Sequence, residues 1–134
     1  MAYLVMLLSL FALPARASVR VECRCIADGE DRVVSTAATA TPYAEPLISI
    51  SYRFQFRAVV VETPPEAARI ALYTYVNRED GPRLAHYAMY PWPPPTPASS
   101  AEYGFTGHQF VYEPDGGHAE FQYWCRLNSG APHE

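Results

Sequence analysis

Along most of this chain, hydrophobic and polar residues alternate one by one, the pattern of strands with one buried face. Near the start, Val19, Val21, Cys23 and Cys25 alternate with Arg20, Glu22 and Arg24. Near the end, Phe121, Tyr123, Cys125 and Leu127 alternate with Glu120, Gln122, Trp124 and Arg126. The strongest run sets Ile48, Ile50, Tyr52, Phe54, Phe56, Ala58 and Val60 on one face, against Ser49, Ser51, Arg53, Gln55 and Arg57. No helical period fits it. Its length predicts a bend or bulge, placed where Val59-Val60-Val61 loses the alternation.

Turn residues divide these runs. Ala27-Asp28-Gly29-Glu30 is a hairpin signal between a strand over 18–26 and a second over 32–39. A loop with Pro42 and Pro46 follows. Thr63-Pro64-Pro65-Glu66 has the spacing of a capping box and predicts one short helical turn near 63–69. The β-prone run from Ile70 to Val76 then takes over, and the turn over 77–82 leads to a strand over 84–90. The prolines at 91, 93, 94, 95 and 97 cannot donate to a sheet, so 91–97 is expected to be a stiff, exposed loop. A strand opening at Phe105 or His108 and ending at Tyr112, a turn over 113–117, and a strand over 118–127 complete the pattern. Residues 129–134 are expected to fray. About seven strands and turn-rich connections predict an all-β fold, a single antiparallel β-sandwich or small barrel.

The segment before the first strand is different. Leu4 to Leu13 is almost wholly apolar, Pro14 breaks any helix, and Ala15-Arg16-Ala17 is a small–x–small cleavage pattern. Residues 1–17 therefore read as a secretory signal peptide, although Met1-Ala2-Tyr3 brings no basic residue. The apolar run is shorter than the roughly 20 residues that span a bilayer. Removing 17 of 134 residues leaves 117 for one β domain over 18–134, enough for a modest core. The expected location is secreted or periplasmic, where disulfides persist.

That compartment changes the meaning of the three cysteines. Cys23 and Cys25 share a face of one strand, and joining them would distort it. Cys125 is therefore expected to bond Cys23 or Cys25, closing a loop of roughly 100 residues worth about 4–5 kcal/mol in the chain-entropy model. The leftover thiol offers a route to an intermolecular disulfide and a dimer. A soft-metal site would need further ligands, and His86, His108, His118 and His133 show no ligand spacing.

The formal charge of −4, one unit more negative without Arg16, argues against nucleic acid and anionic lipid as partners. The acids fall mostly where turns favour them: Asp28, Glu30, Asp31, Glu79, Asp80 and Asp115. No Gly-x-Ser-x-Gly elbow or phosphate-cradling glycine loop is present, so neither catalytic residues nor a cofactor are predicted. The aromatic surplus is more informative. Trp124 falls on the polar side of its strand, Tyr73 and Tyr75 lie opposite Ile70, Leu72 and Val76, and Tyr90 and Trp92 flank the start of the proline run. Binding surfaces enrich such residues. The expected function is an exported, non-enzymatic module that engages an extracytoplasmic protein or glycan through these five aromatics and the proline loop. One rival is an inhibitor of an extracytoplasmic enzyme such as a lysozyme or protease, its stiff loop losing little entropy in a cleft. Another is a metal-binding or enzymatic protein using cysteine and histidine.

Overall fold

The computed structural model describes residues 19–95 and 101–128. The signal peptide expected over 1–17, the loop positions Thr96 and Pro97, and the tail over 129–134 lie outside the described residues. The strands are β1 (Arg20–Ala27), β2 (Glu30–Ala37), β3 (Ile48–Ser49), β4 (Phe54–Val61), β5 (Arg69–Arg78), β6 (Gly81–Pro91), β7 (Gln109–Tyr112) and β8 (Glu120–Asn128). They form two four-stranded antiparallel sheets, ordered β2-β1-β8-β7 and β3-β4-β5-β6. The architecture is a small β-sandwich, which decides between the two forms that the pattern allowed. Among the described residues no helix is long and apolar enough to cross a membrane.

The first and last strands lie side by side. β1 pairs with β8 from Arg20 opposite Asn128 to Ala27 opposite Phe121. On its other side β1 pairs with β2 through the hairpin at Asp28 and Gly29, whose φ angles of 51° and 78° suit Asp-Gly in a two-residue turn. Parity places Val21, Cys23, Cys25, Phe121, Tyr123 and Cys125 inward from this sheet. Phe54, Phe56, Val60, Ile70, Leu72 and Val76 face them from the other. Aromatic rings bridge the layers: Phe54 lies 5.5 Å from Phe121, and Phe56 lies 5.4 Å from Tyr123, centroid to centroid. Each such side chain contributes about 1.5–3 kcal/mol on full burial.

Three expectations are corrected. The run from Ile48 to Val60 is two strands, β3 and β4, giving eight among the described residues. Ser51 accepts the backbone N–H of Arg53 and of Phe54 and donates to Asp28 Oδ2 at 2.7 Å. These bonds compete with the ladder and turn the chain, so that Ile48 folds back opposite Phe56. Tyr52 lies on the turn, 71 % exposed, and leaves the core face that its parity suggested. At Val59–Val61 the strand runs on unbroken; Val59 and Val61 pack outward with Ala71 and Tyr73 in a second small cluster, which explains the lost alternation. The bulge falls instead in β6, where the register shifts opposite Thr74 and Tyr75.

Second, the short helical turn expected near 63–69 is present, as a 3-10 turn over Pro65–Ala67, but the capping box is not: it has no side-chain cap. Pro64 occupies the capping position and has no side-chain acceptor to offer. Third, the start of the proline segment is not uniformly exposed. Trp92 is half-buried against the core and Pro94 is buried.

Candidate binding site

The disulfide joins Cys23 to Cys125, which stand directly opposite each other in β1 and β8 with Cα atoms 4.1 Å apart. The backbone of Cys125 points the other way. Its N–H donates to Thr106 Oγ1 at 2.9 Å, and its carbonyl accepts from the N–H of Phe105 at 3.0 Å. Gly104 bridges to Cys125 with a φ of 62°, and a Cβ there would overlap the Cys125 carbonyl oxygen. Glycine is therefore required for the approach. This clamp fixes the segment before β7 beside β8, which brings Tyr103 and His108 over Trp124.

Trp124 faces outward from the centre of the sheet. Its cross-strand neighbour is Arg24, whose guanidinium carbon lies 5.3 Å from the indole centroid. The Tyr103 and His108 rings meet the indole edge-on at 5.3 and 5.0 Å. Tyr103 stacks on His108 at 4.7 Å and His108 meets Phe110 at a tilt at 4.4 Å, forming an aromatic ribbon that leads into edge strand β7. His108 Nε2 is 3.0 Å from Gln122 Oε1. The next cross-strand pair is Glu22 and Arg126. Together Glu22, Arg24, Val33, Glu102, Tyr103, Trp124 and Arg126 line an open cleft of about 560 Å³.

The cleft walls hold two guanidinium groups and two carboxylates. Arg24 is engaged: it makes a fork to Asp31 at 3.0 and 2.6 Å. That hydrogen bond, helped by the opposite charge, holds the Asp31 carboxyl below the usual carboxylate range and raises Arg24. Arg126 donates to the Glu102 backbone carbonyl at 2.9 Å, and Glu22 accepts from Asn128 at 2.7 Å. The arrangement offers fixed donors and acceptors around aromatic walls. It suits a ligand with one apolar face and several polar groups, and its balanced charge favours neither anions nor cations.

The five aromatics expected to form one patch occupy three places. Trp124 belongs to the cleft. Tyr73 and Tyr75 lie on the outer face of the other sheet, stacked at 6.4 Å. Tyr90 and Trp92 pack against the core, where Tyr90 meets Phe105 edge-on at 5.4 Å and burial raises its hydroxyl. Tyr103, His108 and Arg24 are partners that sequence reasoning missed. Arg24 was within reach: placing Cys23 opposite Cys125 sets it opposite Trp124.

Cys25 keeps a free, fully buried thiol. Burial, with a smaller effect of the Asp31 charge, pushes that thiol far above its ordinary range. A neutral, enclosed thiol is unreactive and out of reach of a second chain, so the dimer route through the leftover cysteine is closed in the folded domain. Among the described residues no group of three or more His, Cys, Asp and Glu is placed to hold a metal ion. Comparison of the chain with protein-family models, with curated proteins and with solved structures finds no match.

Proposed function

We propose that this protein is an exported, non-enzymatic binding module that engages an extracytoplasmic protein or glycan through the Trp124 cleft. One observation carries the reading. A tryptophan on the polar face of a strand is held by Arg24, Tyr103 and His108 at the wall of an open cleft, with charged groups of both signs around it. Aromatic and arginine side chains set in such surroundings are the usual anchors of interfaces, each worth about 2 kcal/mol or more. Export is supported by the leader pattern over 1–17 and by the buried disulfide. The half-burial of Trp92 and burial of Pro94 leave less of the proline segment exposed for the inhibitor reading, which relies on a stiff loop entering a cleft.

The test is recovery of partners from native envelope and culture fluid with the wild-type chain and with Tyr103→Ala and Arg126→Gln. Both substitutions are expected to reduce capture of the same partner at least tenfold while the domain stays folded. Capture that survives both substitutions would remove the cleft from the function. Loss of the partner's signal after glycosidase treatment would assign the ligand to a glycan, and its persistence to protein.

A further inference from the structure

The opposite face of the sandwich carries a second aromatic cluster, centred on Arg57. The Arg57 guanidinium carbon lies 4.6 Å from the Tyr73 ring centroid and 6.0 Å from that of Tyr75. Its Nη2 donates to the Tyr75 hydroxyl at 3.3 Å, and its Nε is buried without an acceptor among the described residues. Arg24, Arg53, Arg78 and Arg83 each meet a carboxylate within 4.0 Å. Arg57 meets none among the described residues, and neither does Arg69 on the same face.

A half-buried guanidinium has given up water, and among the described residues the only acceptor it reaches is a phenol. The flanking rings hold it in place, so a carboxylate that arrives can take two parallel hydrogen bonds at little further ordering cost. The surroundings suit a protein rather than a small anion. Tyr87 leans on Tyr73 at 5.0 Å and is 45 % exposed. Leu84 and Met89 on edge strand β6 are 49 % and 60 % exposed. Arginine, tyrosine and methionine are the types enriched in interface cores. Arg57 and Arg69 are set on this face, and Glu66 shares a shallow cleft with Arg69 and Met89 at its end, away from Arg57.

We infer that the outer face of the β3-β4-β5-β6 sheet docks a partner protein that presents an aspartate or glutamate to Arg57, with apolar neighbours covering Tyr87 and Met89. This surface is independent of the Trp124 cleft. A chain using both would bridge two ligands on opposite faces.

The test is a randomised peptide library displayed on phage and panned against the full chain. The selected peptides are expected to carry Asp or Glu beside aromatic or aliphatic residues. Their affinity should fall at least tenfold for Arg57→Gln, and also for Arg57→Lys, whose ammonium cannot form the fork. Arg32→Gln removes the same charge from the other sheet and should leave binding unchanged. If Arg57→Gln does not fold, the surface changes Tyr87→Ser and Met89→Ser must weaken the same peptides. Selection of peptides without acids, equal binding by Arg57→Gln, or an equal loss in Arg32→Gln would overturn the inference. A concentration-dependent dimer abolished by Arg57→Gln would give the face to a second copy and also overturn it.

Discussion

Replacing both bridged cysteines by alanine, Cys23→Ala with Cys125→Ala, is expected to remove a large share of the stability. The two residues are 102 positions apart, so the bridge ties the denatured chain into one long loop. The chain-entropy model values a loop of that size at about 4.7 kcal/mol. The β1–β8 ladder survives the change, and residual denatured-state structure lowers the figure, so a loss of about 3–5 kcal/mol is expected. A domain of this size has about 5–15 kcal/mol in all. Guanidinium chloride unfolding followed by tryptophan fluorescence measures the loss. The slope should also rise, because the uncrosslinked denatured chain exposes more surface. Cys25→Ala should cost much less, since Cys25 closes no loop. Thiol titration of the unfolded, unreduced wild type should find one thiol. A loss under about 1 kcal/mol in the double variant, or a titration finding three thiols, would refute the reasoning.

Three further outcomes follow from particular contacts. The Tyr123 hydroxyl is fully buried without a hydrogen-bond partner among the described residues, and burial raises its pKa strongly; Tyr123→Phe should hold or raise stability by up to about 1–3 kcal/mol in chemical unfolding, and a comparable loss would mean that the hydroxyl is bonded. Gly104→Ala should cost at least about 2 kcal/mol from positive φ and the overlap with Cys125, and should shift the Trp124 fluorescence as Tyr103 moves; an unchanged melting curve would refute the clamp. Asp31 titrates below the ordinary carboxylate range because of Arg24, so the stability it contributes is present above about pH 4, its unfolded value, and is lost as pH falls through its lower folded value. Carbon-detected NMR titration should show that depressed midpoint, and Arg24→Gln should raise it; equal midpoints in the two proteins would remove the pair.

The strands were legible because parity is a local property, and every sheet here has one face on the core. What escaped was set by contacts distant in sequence. The break after Ser49 depends on Ser51 bonding Asp28, 23 positions away, while Ile50 and Phe54 both remain buried. Local alternation therefore runs straight across a turn. The cleft depends on Gly104 lying against Cys125, and nothing around Tyr103 or His108 announces that approach. Arg57 had the parity of an ordinary solvated arginine; only the pairing of β4 with β5 sets it opposite Tyr73. The proline run was expected to be exposed from its chemistry alone, but Trp92 supplies enough apolar surface to draw it onto the core.

The choice between Cys23 and Cys25 as partner of Cys125 has a physical answer in the outer face. Both pairings keep the same parity, so the hydrophobic pattern cannot separate them. With Cys23 opposite Cys125, Glu22 stands opposite Arg126 and Arg24 opposite Trp124, an opposite-charge pair and a cation over an aromatic ring. Shifting by two residues to place Cys25 opposite Cys125 would set Arg24 against Arg126, two like charges. An opposite-charge or like-charge cross-strand pair is worth about 0.2–1 kcal/mol in either direction, and an exposed cation–π contact about 0.5–1 kcal/mol. The observed register is favoured by the sum, on the order of 1–2 kcal/mol, before any disulfide forms. The same residues that choose the register then line the cleft. The staple and the candidate site are thus two consequences of one strand alignment, and a substitution such as Arg24→Glu, which removes the cation over Trp124, should disturb both at once.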